Sequence, residues 1–298
     1  NHLNLNKDMV KPRIEKELTE ECNPYENIYE WISSDYLRVN ICKYNALNNS
    51  LDSLVNNFVK SSNTSLYTLD DLKKELNTYL TVNELKDYDY QPISHSNIYR
   101  NTYLPHYLVI NKDYLDVTLR IQNLDNFMMN TKEYTITSVE GKCTSGKTTI
   151  TSALSNKYTV IEIDQFFLNK ERKTKERLSE IGGNIDYELV KENLQKIKNA
   201  WLNNQDKVEI KVYDCSNNTY SMKEIELKNK VILEGVYSYH KYFNNLIDYL
   251  VYIYVDEKTQ LERVNKRSMK ERFINEWISL ENKYFDYYKL YDICDLII

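Results

Sequence analysis

Glycine is nearly missing from this chain. There are 5 in 298 residues, and none precedes position 141. Proline is as scarce, and all four prolines (Pro12, Pro24, Pro92 and Pro105) lie before that point. This break in composition marks two regions, with the boundary expected near residue 130. The five cysteines (Cys22, Cys42, Cys143, Cys215 and Cys294) include no C-x-x-C pair. That argues against a zinc site and for a reducing compartment. The four histidines show no metal-ligand spacing. Excess positive charge is absent too: the formal net charge is −5 and the isoelectric point is about 5.6. A general nucleic-acid or anionic-membrane binder is therefore not expected. No apolar run approaches the roughly 20 residues of a membrane span, and no signal peptide is visible. A cytoplasmic location is the expectation. The chain begins at Asn1 rather than Met, as a trimmed product would. No internal repeat or low-complexity linker is seen.

What is present stands out against this background. Gly141-Lys142-Cys143-Thr144-Ser145-Gly146-Lys147-Thr148 reads G-x-x-x-x-G-K-[ST]. With glycine this rare, two at a fixed spacing arise by chance at about 1 in 3,500 start positions, the square of the glycine frequency. Adding the Lys and the Ser/Thr brings a chance match anywhere in the chain to about one in a thousand. Residues 134–140 before the loop read as a strand, and 148–154 after it can open a helix. Strand, loop and helix together aim backbone N–H groups at an anion. Thr149 extends the candidate phosphate-binding set.

From residue 134 onward, strand-like segments at 134–140, 158–163, 207–213, 230–234, 249–255 and 293–298 alternate with helical stretches. The alternation predicts an α/β fold with a doubly wound parallel sheet covered on both faces. Ligands of such sheets bind beyond the carboxyl ends of the strands. Lys147, Asp164, Tyr213 and Glu234 all fall at or just past such ends. Before the loop, Leu51, Leu54, Val55, Phe58 and Val59 recur at helical spacing. Thr68 and Asp71 resemble a capping pair for a helix carrying Leu69, Leu72, Leu76 and Leu80. Residues 103–110 end strand-like, and Val117, Ile121, Leu124 and Met128 form one helix face. The N-terminal region, 1–130, is thus expected to be helix-rich and packed.

Asp164 directly follows a buried strand and precedes Phe166 and Phe167. It can take the proton of a substrate hydroxyl while the rings shape a dry pocket; it can equally orient magnesium or cap its strand. Glu234 ends an apolar strand, where it can hold Mg²⁺ or cap the strand. Arg263, Lys266, Arg267, Lys270 and Arg272 form a basic helical run, either a lid that neutralises phosphoryl charge or a solvated face. No Asp-x-x-Gly follows the loop and no Asn-Lys-x-Asp occurs, so GTPase signatures are missing.

Taken jointly, the loop, Asp164-Gln165-Phe166-Phe167, Gly183-Asn184-Ile185-Asp186-Tyr187, Tyr213-Asp214-Cys215, Leu233-Glu234-Gly235-Val236-Tyr237-Ser238, and Arg263 with Arg267 resemble the uridine kinase/phosphoribulokinase-type P-loop kinases. The likeness covers roughly residues 134–298, within an expected kinase domain at 131–298. It extends to Trp277–Phe285, to the terminal Cys294–Ile298 and to the upstream Tyr99-Arg100-x-x-Tyr103-x-Pro105-x-Tyr107. The resemblance implies a P-loop NTPase fold and an ATP- and Mg²⁺-dependent kinase of a small-molecule hydroxyl substrate, foremost a nucleoside. Lys147 and the loop N–H groups would hold the phosphates, Thr148 and Glu234 the metal. Asp164 would act as base, and Arg263 and Arg267 would clamp the phosphoryl. Asp186, Tyr187, Tyr213, Phe166 and Phe167 would form the acceptor pocket. Relatives that act on pyrimidine nucleosides carry a His shortly after the Tyr-Asp pair, where this chain has Asn217-Asn218. Rival readings are a kinase of another hydroxyl metabolite, pantothenate- or sugar-like, and a nucleotide-binding regulator without phosphotransfer. A polynucleotide kinase fits poorly with the acidic charge. No nucleic-acid or membrane partner is expected, and a homo-oligomer is compatible with the sequence.

Overall fold

The computed structural model describes residues 5–20, 27–63, 74, 97–268 and 270–298. The chain divides into two compact units, Asn1–Leu119 and Arg120–Ile298.

In the first unit, helix Lys7–Glu17 starts where the Asn6 side chain accepts a hydrogen bond from the Met9 N–H at 3.0 Å, an N-cap. Its Val10 and Ile14 are buried with Ile41 and Val55. The apolar spacing noted from Leu51 forms helix Leu51–Asn63. Three strands, β1 (Tyr29–Trp31), β2 (Tyr36–Asn40) and β3 (Tyr107–Asn111), make an antiparallel sheet in that order. Ser61 on the helix accepts a hydrogen bond from the Asn111 N–H at 2.7 Å and joins it to β3. The sheet adds to the expected helices. The helix expected over 69–80 lies outside the described residues. Cys42 is disulfide-bonded, whereas Cys143, Cys215 and Cys294 carry free thiols, so a fully reduced set does not hold.

The second unit is built on five parallel strands. These are β4 (Thr135–Glu140), β5 (Thr159–Glu162), β8 (Lys230–Glu234), β9 (Tyr249–Tyr252) and β10 (Leu296–Ile297), in the order β10-β9-β4-β8-β5. Every residue of β4 is buried, as a central strand covered on both faces must be. The chain leaves β4 over β8 to reach β5 and later leaves β8 over β4 to reach β9. The two crossovers part at the β4–β8 boundary, the topological position at which ligands of such sheets bind, beyond the carboxyl ends. Helix Tyr187–Leu202 packs six buried positions, among them Val190, Leu194 and Ile197, into the core that contains Ile136, Val231 and Leu233.

One expected strand sits elsewhere. Residues 207–213 do not join the parallel sheet. They form β6 (Lys207–Asp214), which pairs antiparallel with β7 (Thr219–Glu226). Only Cys215–Asn218 separates the two, enough for a hairpin but far short of the dozen or so residues that a parallel crossover needs. The left-handed Asn218, φ 52°, closes the turn.

Candidate functional site

The phosphate-binding loop runs from the end of β4 into helix Lys147–Ser152. Two glycines make its shape possible. Gly141 has φ +147°, and a Cβ there would lie 2.5 Å from the Ile253 carbonyl oxygen. Gly146 has φ +103° and forms the left-handed entry to the helix. Thr144 between them is also left-handed, at φ 59°. Lys147 is buried, and its Nζ donates to the carbonyls of Gly141 at 2.7 Å and Lys142 at 2.9 Å. Ser145 is buried too, while Thr148 and Thr149 are exposed.

The acids stand on neighbouring strand ends. Val139 of β4 and Glu162 of β5 both pair with Glu234 of β8, so the three strands finish within one residue of each other. The Thr148 hydroxyl donates to Glu234 Oε1 at 3.0 Å. The other carboxylate oxygen, Oε2, is buried without a hydrogen-bond partner. Burial raises the Glu234 carboxyl pKa, Lys147 and the Thr148 bond oppose the shift, and Asp164 and Glu162 add to it. Asp164, just past β5, is solvent-accessible. The surrounding protein raises its pKa, Lys147 counteracts and Glu162 reinforces. An acidic pair facing one ammonium, with one orphaned carboxylate oxygen, suits a hard divalent cation. Mg²⁺ takes few protein ligands and completes its shell with phosphate oxygens and water. The residues therefore fit the metal expected there.

The lid residues divide. Arg263, on helix Glu257–Val264, donates Nη1 to the carbonyls of Thr144 at 2.9 Å and Ser145 at 3.3 Å, so it lies on the loop itself. Arg267 lies beyond that helix and is exposed.

The acceptor side is more tightly built than the sequence suggests. Asp186 is 2% exposed and caps helix Tyr187–Leu202, with Oδ1 accepting from the Leu189 N–H at 3.1 Å. Its Oδ2 accepts from Arg172 at 2.5 Å and from the Tyr220 hydroxyl at 3.4 Å. Tyr187 stacks on His240 at 4.7 Å, and its hydroxyl donates to Glu180 at 2.7 Å. Phe166 is 1% exposed and belongs to the core, whereas Phe167 is partly buried against it. Tyr213 on β6 donates its hydroxyl to Asn218, and its ring lies 5.1 Å from that of Tyr220. The hairpin thereby carries Tyr213 and Tyr220 together, with Tyr220 reaching Asp186.

Several residues with a hold on this region have no motif of their own. Arg172 and Arg177 share Glu188, and the Glu188 pKa falls to about 2; burial acts against the fall, and the Arg177 bond leads the causes that favour it. Glu140 ends β4, fully buried, and accepts from the Tyr284 hydroxyl at 2.7 Å and the Tyr239 N–H at 2.9 Å. Burial lifts its pKa to about 7. Glu281 accepts from the Cys143 N–H at 2.7 Å. Glu281 lies in the Trp277–Phe285 stretch of the resemblance; nothing local marks Glu140, Arg172, Arg177 or Glu188.

The chain is 32% identical, over 150 residues, to a uridine kinase from Macrococcus caseolyticus (strain JCSC5402). The match covers 46% of this chain and 70% of that protein. Among solved structures, one described as a possible uridine kinase from Bacillus stearothermophilus is 18% identical with a TM-score of 0.49; the match covers 62% of this chain and 100% of that one. A second, described as a candidate fructose transport system kinase from Silicibacter sp. TM1040, is 15% identical with a TM-score of 0.40, over 62% of this chain and 99% of that one. No family model matches the chain.

Proposed function

The chain belongs to the uridine kinase/phosphoribulokinase-type P-loop kinases, and from that premise we propose that it transfers the γ-phosphoryl of ATP to a hydroxyl, foremost that of a nucleoside. The kinase region is residues 131–298. The observation that carries the reading is the convergence, at one sheet edge, of the phosphate-loop Lys147, the Thr148–Glu234 pair and Asp164.

Lys147 leaves its resting contacts with two loop carbonyls to meet phosphate oxygens, and the loop N–H groups hold the rest of the anion. Thr148 and Glu234 would hold Mg²⁺, which would neutralise phosphate charge. Asp164 accepts the proton of the acceptor hydroxyl; its raised pKa moves it toward the working pH, where a general base is most effective. Arg263 steadies the loop from behind, and Arg267 is free to approach the transferring phosphoryl. Asp186, held by Arg172, and Tyr213, held by Asn218, line the acceptor side with Phe167. Tyr187 and Phe166 support this wall from within the core.

A second acceptor class is favoured by one observation. Asn218 stands where relatives that act on pyrimidines have a His nearby, and its side chain is taken up by Tyr213. The missing His keeps a sugar-like or pantothenate-like alcohol as the alternative, while the Asn218 amide nitrogen remains a donor. A panel of nucleosides, sugars and pantothenate, each with ATP and Mg²⁺, separates them. Acceptor-dependent ADP release with a nucleoside supports the first reading, and release only with another alcohol supports the second. Tight nucleotide binding without turnover on any acceptor would instead indicate a regulator.

A further inference from the structure

Glu281 lies on helix Ile278–Tyr288, far along the chain from the phosphate-binding loop, yet its carboxylate meets that loop directly. Oε2 accepts from the Cys143 N–H at 2.7 Å, and the residue is 6% exposed. The same residue is gripped from the other side, through the next peptide unit. Gln260, 2% exposed on helix Glu257–Val264, donates Nε2 to the Cys143 carbonyl at 3.3 Å. The Thr144 hydroxyl donates in turn to the Gln260 carbonyl at 3.3 Å. Arg263, one turn further along that helix, holds the next two loop carbonyls. Residue 143 is therefore fixed by its N–H to one helix and by its C=O to another.

We propose that Glu281 is a positioning residue for nucleotide binding: by accepting the Cys143 N–H it sets the first half of the phosphate-binding loop so that the N–H groups of the second half converge on one anion. The physical case is one of geometry and burial. A loop holding a left-handed Thr144 and two left-handed glycines has several alternative paths, and each costs little for the glycines. A buried, charge-assisted hydrogen bond selects one of them, and a peptide N–H buried without an acceptor is costly. Lys142 and Lys147 lie close enough to lower the carboxyl pKa of Glu281 against the effect of its burial, so the group also faces the ammonium that must meet phosphate. Because the Glu281 carboxylate bonds to the phosphate-binding loop at Cys143, its influence falls on nucleotide affinity and not on acceptor recognition. The inference rests on the kinase reading through the loop's role in holding nucleotide.

Three variants test it: Glu281→Gln, which keeps an oxygen for the Cys143 N–H, and Glu281→Ala and Glu281→Asp, which lose it or draw it back. The readouts are the Kd for Mg²⁺-ATP by calorimetry, thermal melting and, once an acceptor is in hand, both KM values and kcat. Losing a charged hydrogen bond predicts a Kd for ATP raised by roughly 10–100-fold in Glu281→Ala, with acceptor KM within about twofold. Glu281→Gln is expected to stay within about threefold of wild type. Should the Ala variant not fold, Glu281→Asp carries the comparison. A folded Glu281→Ala or Glu281→Asp with wild-type ATP affinity overturns the proposal, as does a Gln variant as impaired as the Ala one. Absence of nucleotide binding by the wild-type protein would overturn the kinase reading and this one together; normal wild-type binding with indifferent variants would overturn this one alone.

Discussion

Lys147 is ringed by acid. Its ammonium holds down the carboxyl pKa of Glu140, Asp164, Glu234 and Glu281, each of which burial pushes up. Four carboxylates around this ammonium weaken the loop as an anion site until a divalent ion joins the nucleotide. Lys147→Ala is therefore expected to abolish turnover, and Asp164→Asn to lower kcat by about 10²–10⁴-fold with little change in ATP affinity. Steady-state kinetics beside ATP titrations on both variants check this. A changed Mg²⁺ requirement at unchanged kcat in Asp164→Asn would make Asp164 a metal residue. Asp186 works differently, because its carboxylate already serves the helix cap and Arg172. Asp186→Ala should raise acceptor KM by tens-fold, spare ATP and cost about 0.5–2 kcal/mol of stability through the lost cap. Asp186→Asn should keep most of that stability, since Asn also caps helices, while still weakening acceptor binding. Denaturant melts beside acceptor titrations separate the two effects; equal destabilisation of both variants would refute the assignment of the cap.

At the scale of elements, the loop's geometry depends on what surrounds it. Gly141 combines φ +147° with a backbone oxygen 2.5 Å from where a Cβ would stand. Backbone atoms cannot rotate aside as a side-chain tip can. Gly141→Ala is thus expected to displace the loop and to reduce ATP affinity at least tenfold. Gly146→Ala meets no atom within 4 Å and is opposed only by its φ of +103°. It should do less harm to packing while still straining the helix entry. Calorimetric ATP titrations of the two variants rank them, and a Gly141→Ala variant that binds as the wild type would contradict the close approach. The β6–β7 hairpin illustrates the same point in another way. Its Tyr213 and Tyr220 are neighbours only because the antiparallel register pairs them directly.

For the whole molecule, the raised carboxylates set a pH dependence. Glu140 is fully buried, and its pKa rises from 4.5 to about 7 on folding. The folded state then binds the proton more tightly than the unfolded one. The resulting stability is present below pH 4.5 and lost as pH rises through about 7. The size is roughly 3 kcal/mol for this one group. Glu234, Asp164 and Glu281 shift in the same direction. Glu188, lowered to about 2, acts oppositely: its stabilisation is present above pH 4.5 and lost as pH falls through about 2. The nucleotide-free protein should therefore melt at lower temperature as pH is raised from 5 to 8, and Glu140→Gln should flatten that slope. A melting temperature that climbs over this range would contradict the buried, proton-binding Glu140.

The sequence by itself determined the local chemistry. Gly141 and Gly146, the only residues able to take that loop's backbone cheaply, announced the phosphate site in a chain with so few glycines. The apolar run ending in Glu234 announced a buried parallel strand, and helical spacing announced Leu51–Asn63 and Val117–Asn130. Period and composition are local, so they survive in the linear order. Tertiary structure alone decided which elements became neighbours. It put 207–214 into a hairpin, because a four-residue link cannot make a parallel crossover. It brought Arg172 to Asp186, and it set Glu281 behind Cys143 across more than a hundred residues of chain. Charges that meet only after packing leave no period and no motif, since their pairing is fixed by sheet order and helix placement and not by spacing along the chain.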